Sequence, residues 1–181
     1  MNKKIKMFII YTVFVLIISC ENFTSTSTNS TSEQISSKTI EFTEFTVKIK
    51  NKDNSGNWTD LGDLVVEKEE RKKGEYGIAT GLNAGGHSAT FFKVEESEVN
   101  NFVKAMTEGG SFKSSLYYGY GDEQSNTSSG IQDKEIITKI EKIDNSEYIT
   151  FSGDKIKKDN NSGDKTAGYA ISLEELKKNL K

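Results

Sequence analysis

Short runs in which apolar and polar side chains alternate recur along the chain from Lys38 onward, separated by turns rich in Gly, Asn and Ser. Phe45, Val47 and Ile49 form one such run, and the turn cluster at residues 51–56 precedes the next. A period of two is typical of antiparallel strands that bury one face. The single cysteine excludes an intrachain disulfide, so packing and hydrogen bonds must hold such a fold together.

Three local features of the strand pattern are also predicted. The alternation slips by one residue near Thr43 and Glu44, which indicates a β-bulge. The Gly-rich stretch at residues 81–86 predicts a loop between two strands. Residues 135–143 fit either a helical face or a strand, but their β-branched content and the turn at residues 144–146 favour a hairpin.

Two helices are predicted where the apolar spacing becomes helical. The first is marked by four residues at i, i+3, i+4 and i+7: Val99, Phe102, Val103 and Met106. The second follows Ser172, which suits an N-cap with Glu175 completing a capping box. Its apolar face holds three leucines: Leu173, Leu176 and Leu180. We therefore expect an α+β fold, an antiparallel β-rich domain (a curled sheet or open barrel) with one inserted helix and a short C-terminal helix.

The start of the chain predicts a lipoprotein signal peptide. Three lysines are followed by an apolar run of about twelve residues and then by Ser19 and Cys20. This run is too short for a helix that spans a bilayer, which needs roughly 20 apolar residues. The residues before Cys20 resemble a lipobox, in which the cysteine becomes the first residue and its thiol carries the lipid. Two or more acyl chains give stable membrane anchoring.

The composition changes again between Cys20 and the first strand. Residues 21–37 are rich in Ser, Thr and Asn and have few apolar side chains, so they cannot bury enough surface to offset the entropy lost on ordering. We expect a signal peptide at residues 1–19, the lipidated Cys20 with a flexible Ser/Thr-rich tether at residues 20–37, and one compact ligand-binding domain at residues 38–181.

The charge balance limits the classes of partner. The chain has 24 Lys and Arg against 27 Asp and Glu, and three of the lysines lie in the leader, which leaves a net charge near −6 for the remainder. Such a balance argues against nucleic acid, for which a basic face is expected. It permits a partner with a basic surface, through electrostatic steering and complementarity.

No catalytic, metal or cofactor site is expected. His87 is the only histidine, and no nucleophile signature accompanies it. One histidine and one acylated cysteine do not make a zinc site. The Gly-rich loop at residues 81–86 lacks the Lys-Ser/Thr pair of a P-loop. Runs of acidic residues are more typical of a solvated face than of an acid/base pair.

Aromatic and acidic residues that are close in sequence suggest a binding surface. Tyr117, Tyr118 and Tyr120 are followed by Asp122 and Glu123. Tyrosine is enriched at interfaces because it offers a rigid ring with a polar tip. The alternative is that these rings pack in the core, which we expect of Tyr118, while both interpretations stay open for Tyr120. Acids beside such rings would suit a partner rich in Arg or Lys.

Long stretches of the chain resemble one known family. The leader MNKKIKMFII…VFVLIISC and the blocks KIKNKDNSGNWTDLGDLVVEKEE and GIATGLNAGGHSATFFKVEESEVNNFVKAMTEGGSFKSSLYYGY are similar to the OspE-related (Erp) outer-surface lipoproteins of Lyme-disease spirochaetes. The likeness extends to the ending that starts at Tyr169. Tyr11 and Thr12 depart from the family's leader, which does not affect anchoring.

The resemblance implies a surface-exposed outer-membrane lipoprotein that captures host complement factor H and factor H-related proteins. Factor H held there keeps its cofactor and decay-accelerating activities, so C3b is inactivated and the cell evades complement. Family members dock the basic C-terminal module of factor H, and some bind plasminogen. The family is not enzymatic and supplies no catalytic residues.

The acidic and aromatic residues together form the contact set that we predict for a basic partner. Its members are Glu67, Glu69, Glu70, Tyr117, Tyr118, Tyr120, Asp122 and Glu123. Two alternatives belong to other classes of protein. One is a plasminogen or matrix adhesin that uses the lysines Lys177, Lys178 and Lys181, and the other is a surface enzyme that depends on His87.

Overall fold

A computed structural model describes residues 41–71, 74–121, 123, 129–156 and 165–181. These residues belong to one compact unit, Ser37–Lys181. The predicted signal peptide, Cys20 and the predicted tether lie outside the described residues. No helix in the described ranges is both long and apolar enough to cross a membrane.

The described residues form eight strands and two α-helices. The strands are β1 (Glu44–Lys52), β2 (Trp58–Glu70), β3 (Tyr76–Ala84), β4 (His87–Val94), β5 (Gly110–Tyr117), β6 (Ile131–Ile143), β7 (Ser146–Ile156) and β8 (Lys165–Ser172). A 3-10 turn at Glu96–Glu98 leads into α1 (Val99–Glu108), and α2 (Leu173–Asn179) follows β8. The inserted helix and the C-terminal helix that the sequence predicts are therefore present.

The sheet is closed, which corrects the predicted architecture. Each strand pairs antiparallel with the next, and β8 pairs with β1. In the closing pair Ile49 lies opposite Ile171, with Lys50 opposite Ala170. The prediction of a curled sheet or open barrel is wrong because this pairing joins the first and last strands and leaves neither as an edge.

Antiparallel connectivity divides the barrel into two ends, since successive connections alternate between them. We call the end with the connections after β1, β3, β5 and β7 the loop end. The other end carries α1 and α2, and we call it the helix end. The β5–β6 connection, which holds Tyr118 and Tyr120, therefore lies at the loop end.

Both helices bury the faces that the sequence predicts, with one difference. In α1 the buried residues are Val99, Phe102, Ala105 and Met106, while Val103 packs against the core from a partly buried position. Gly109 ends α1 at a φ of +82°, a conformation that glycine adopts without strain. In α2 the Glu175 backbone N–H donates a hydrogen bond to Ser172 Oγ at 3.4 Å, so the predicted N-cap is confirmed. The Glu175 carboxylate accepts from the Lys48 backbone N–H at 3.4 Å, a bond that the predicted capping box does not contain.

The predictions of local strand features are confirmed in part. The β6–β7 hairpin is confirmed, with Asp144 and Asn145 at positive φ in its two-residue turn. The predicted loop between two strands is present but shorter than residues 81–86, because β3 continues to Ala84 and only Gly85 and Gly86, both at positive φ, form the turn. The register of β1 shifts between Ile49 and Lys50 rather than near residue 43, which precedes the strand.

Aromatic rings fill much of the barrel interior. Phe91 and Phe92 are adjacent in β4, yet both are fully buried. A register shift between Thr80 and Gly81 on the paired strand accompanies this arrangement, since a bulge lets neighbouring side chains turn toward the same side. Phe91 contacts the rings of Phe92, Tyr117, Phe151 and Tyr169 at centroid distances of 5.1–6.3 Å.

Candidate functional site

The acidic residues of β2 differ in how much charge they present to solvent. Glu67 and Glu70 are exposed, whereas Glu69 is half-buried. The Lys93 ammonium lies 2.9 Å from Glu69 Oε1, and the Arg71 guanidinium lies 3.6 Å from Glu69 Oε2. Glu69 is therefore balanced by two cations of its own chain, and among these three glutamates the exposed negative charge lies at Glu67 and Glu70.

A shallow groove runs beside these residues. It is lined by Glu69, Glu70, Arg71, Lys93, Glu95, Ser115, Leu116 and Gln132. Arg71 also pairs with Glu95. Burial tends to raise the pKa of Glu95, but hydrogen bonds from Ser115 and Arg71 outweigh it and lower that pKa. The groove thus presents both signs of charge rather than a purely acidic face.

The three tyrosines of the predicted contact set occupy different environments. Tyr117 is 0% exposed and its ring lies inside the barrel, with the Lys134 ammonium 4.8 Å from the ring centroid. Tyr118 is half-buried. Tyr120 is 39% exposed and helps to line a groove at the loop end with Lys52 and Asp53. Of these three tyrosines, Tyr120 is the most exposed to solvent.

Glu123 is buried, with only 2% of its surface exposed. Its Oε2 accepts hydrogen bonds from the Tyr117 hydroxyl at 2.8 Å and from the Asp154 backbone N–H at 2.6 Å. Its Oε1 accepts a hydrogen bond from the Tyr169 hydroxyl. We call these four residues the Glu123 cluster. Three donors from three strands compensate for the removal of the carboxylate from water.

The tyrosine hydroxyls of the Glu123 cluster remain donors over the ordinary pH range. Burial is the largest cause that raises the pKa of both Tyr117 and Tyr169 far above the usual value for tyrosine. The nearby Glu123 carboxylate raises both pKa values further, because a second negative charge would be repelled. Both hydroxyls therefore keep the protons that they donate to the carboxylate.

Two glycines make room for this carboxylate. A Cβ atom placed on Gly119 or on Gly153 would lie 2.5 Å from Glu123 Oε2. Gly119 also has a φ of +69°, which disfavours other residues. The backbone of the β5–β6 connection and that of β7 therefore close directly over the buried acid.

The structure separates the predicted contact set. Tyr117 and Glu123 are buried, so neither side chain is available to a partner that docks on this conformation. Asp122 lies outside the described residues. Glu70 ends β2 toward the helix end, while Tyr120 lies at the loop end, so these two do not form one small patch.

The Glu123 cluster was missed by sequence reasoning. The flanking glycines at positions 119 and 121 indicate a turn, but an acid in a Gly-rich turn is ordinarily solvated. Its donors come from residues 6 to 46 positions away, and no local pattern joins them. The nearest signal was the presence of aromatic and acidic residues in one loop, which was interpreted as a surface.

Comparison with known proteins identifies the family. The family model for Borrelia outer surface protein E matches residues 42–179. A comparison with curated proteins found no match. Among solved structures, the complement regulator acquiring outer surface protein BbCRASP-4 or ErpC from Borrelia burgdorferi is 74% identical, covers 78% of this chain and 100% of its own, and has a TM-score of 0.69.

Two further solved structures are similar to the same extent. Complement regulator-acquiring surface protein 3, also called CRASP-3 or ErpP, from Borrelia burgdorferi is 71% identical, with 78% of this chain and 99% of that chain covered and a TM-score of 0.70. The solution structure of outer surface protein E is 78% identical, with 78% and 88% covered and a TM-score of 0.69. The match to more than half of the chain establishes that it belongs to the Borrelia outer surface protein E family.

Proposed function

We propose that this chain is a surface protein that binds the host complement regulator factor H, together with factor H-related proteins, and so recruits the regulator to the bacterial cell. The observation that carries the proposal is its 71–74% identity to proteins named for acquiring complement regulators. The alignment covers 99–100% of those chains, so the positions that form their binding surface have counterparts in this chain.

The charge of the chain supports a basic partner module. The sequence after the leader is acidic, and Glu67 and Glu70 are exposed on β2. The proposed contacts are these two acids with Tyr118 and Tyr120, the described members of the predicted set that the structure does not bury, and they lie toward opposite ends of the barrel. Asp122 stays a predicted contact outside the described residues. Complementary charge would speed the encounter with the basic C-terminal module of factor H and would fix its orientation.

Replacing Glu67 and Glu70 together with glutamine should weaken factor H binding roughly fivefold at low ionic strength, since exposed charge pairs contribute about 0.2–1 kcal/mol each. The loss should shrink as salt is added, because exposed charges are screened. Surface plasmon resonance across a salt series measures both effects.

A matched control for this experiment lies on the opposite wall of the barrel. Glu135 and Glu141 are exposed on β6, and their double replacement with glutamine changes the net charge equally. Equal losses in the two variants would point to net charge rather than to a contact surface. Absence of factor H among the serum proteins that the unchanged chain retains would overturn the proposed function itself.

We also propose that Cys20 carries a lipid that anchors the chain in the outer membrane with its folded unit exposed. The support is the basic start, the short apolar run and the lipobox-like sequence before the cysteine. Replacing Cys20 with alanine should abolish incorporation of labelled palmitate and release the protein from the membrane fraction. Unchanged labelling would show that the lipid is attached elsewhere.

A second candidate function is capture of plasminogen. Lys177, Lys178 and Lys181 are exposed at the helix end, as lysine-dependent docking requires. A lysine analogue should then compete with plasminogen binding and leave factor H binding unchanged. Alanine at all three positions should have the same selective effect.

A further inference from the structure

The β5–β6 connection begins with a tight turn that presents Tyr120. The Glu123 backbone N–H donates a hydrogen bond to the Tyr120 carbonyl oxygen at 3.1 Å and closes the turn. Gly119 and Gly121 adopt positive φ values of +69° and +54° on either side of the tyrosine. Two glycines make a turn of this kind flexible unless other contacts hold it.

The Glu123 side chain supplies such contacts. Its carboxylate accepts hydrogen bonds from Tyr117 at the end of β5, from Asp154 in β7 and from Tyr169 in β8. One side chain of the turn is thereby fixed to three strands of the barrel. The turn cannot lift from the loop end unless all three hydrogen bonds break.

The Glu123 cluster also reaches Tyr120 directly. The Tyr169 hydroxyl donates to Glu123, and Tyr169 and Tyr120 line the same groove at the loop end. Tyr169 therefore adjoins both the buried carboxylate and the exposed tyrosine, while the Glu123 backbone bonds to Tyr120 directly. The rings of Tyr169 and Phe91 pack edge to face at 5.1 Å, which anchors the hydroxyl in the core.

We propose that Glu123 is a positioning residue for partner binding, which holds the Tyr120 turn in the conformation that the partner recognises. This inference rests on the proposed function and on Tyr120 as a contact. A buried carboxylate is a costly way to gain stability alone, because apolar packing of similar volume serves as well or better. Its value here is that it orders an exposed aromatic side chain before the partner arrives, which lowers the entropic cost of binding.

Replacing Glu123 with glutamine should weaken factor H binding about tenfold, because only a fraction of molecules would hold the turn in place. The decisive measurement is a double-mutant cycle with Tyr120→Ala. If Glu123 acts through Tyr120, the E123Q change should alter affinity less than twofold when Tyr120 is already alanine. If E123Q lowers the affinity equally with Tyr120 present and with Tyr120→Ala, Glu123 does not act through Tyr120 and has only a structural role.

A control separates positioning from general destabilisation. Thr138 is also buried, and its hydroxyl donates to the Ala105 carbonyl oxygen at 2.6 Å, beneath α1. Thr138→Val should lower the melting temperature and leave factor H affinity unchanged. If Thr138→Val and E123Q weaken binding equally, loss of stability explains both and the inference fails.

A second variant keeps the inference testable if E123Q does not fold. Tyr169→Phe removes the hydroxyl that donates to Glu123 and keeps the ring, and it should weaken binding in the same direction by roughly threefold. Unchanged affinity in both E123Q and Y169F, with the original protein binding normally, would overturn this inference and leave the proposed function standing. A lack of binding by the original protein would overturn both.

Discussion

Phe91→Ala should lower the free energy of unfolding by about 3–5 kcal/mol, the range for truncating a fully buried phenylalanine. Phe91 is 0% exposed and its ring contacts four other aromatic rings. Alanine would leave a cavity whose lining includes Tyr117 and Tyr169, the two rings that donate to Glu123. Those rings are tied to the carboxylate, so they cannot readily move to fill the space.

Urea denaturation at constant m-value measures this loss. Phe42→Ala is the matched control, because Phe42 is only partly buried and its ring packs edge to face against Phe45 at 5.0 Å. We expect Phe42→Ala to lower the free energy of unfolding by about 1 kcal/mol, since part of that ring is already in water. A loss at Phe91 as small as that at Phe42 would contradict the role assigned to the ring.

The features predicted from sequence are those that nearby residues determine. The apolar spacing of Val99, Phe102 and Met106 defines α1 within a few turns of chain. The hairpin around Asp144 and Asn145 depends on a turn whose residues tolerate positive φ. In both cases the signal and the structure that it specifies lie within about fifteen residues, so the pattern can be interpreted without the rest of the fold.

Closure of the barrel could not be predicted in this way. It depends on Ile49 and Ile171 lying opposite each other, although more than a hundred residues separate them. A curled sheet and a closed barrel have the same alternation along each strand, because both bury one face. The difference lies in register and shear, which the sequence pattern of a single strand does not contain.

The candidate site also depends on contacts between residues far apart in sequence, which a local pattern does not contain. The exposure of Tyr120 and the burial of Glu123 are opposite outcomes for two residues three positions apart. From composition alone, Tyr120 and Glu123 are an aromatic and a polar residue of the same loop, and nothing indicates that one is exposed and the other buried. What distinguishes them is the set of donors on β5, β7 and β8 that converges on one carboxylate. That convergence exists only once the barrel is assembled.

Gly62→Ala should lower the free energy of unfolding on the order of 3 kcal/mol, the upper range for forcing extra atoms into a packed site. A Cβ atom at Gly62 would overlap the Asn83 carbonyl oxygen and would lie 3.1 Å from Ala84 Cα. Both neighbours belong to the backbone of β3, so no side-chain rotation relieves the overlap. The strands would have to separate where the register of β1 against β2 also shifts, between Ile49 and Lys50.

Gly81→Ala is the control that isolates this cause. Gly81 is also a strand glycine, but the nearest atom to an added Cβ, the Ala89 carbonyl oxygen, lies 4.0 Å away. Alanine there should leave stability unchanged or raise it by up to about 1 kcal/mol, because it restricts the unfolded chain without a clash. Thermal and urea denaturation of the two variants compares them directly. Equal destabilisation would mean that alanine is poorly tolerated throughout these strands, whereas a loss confined to Gly62 places the cause in the close approach of β2 and β3.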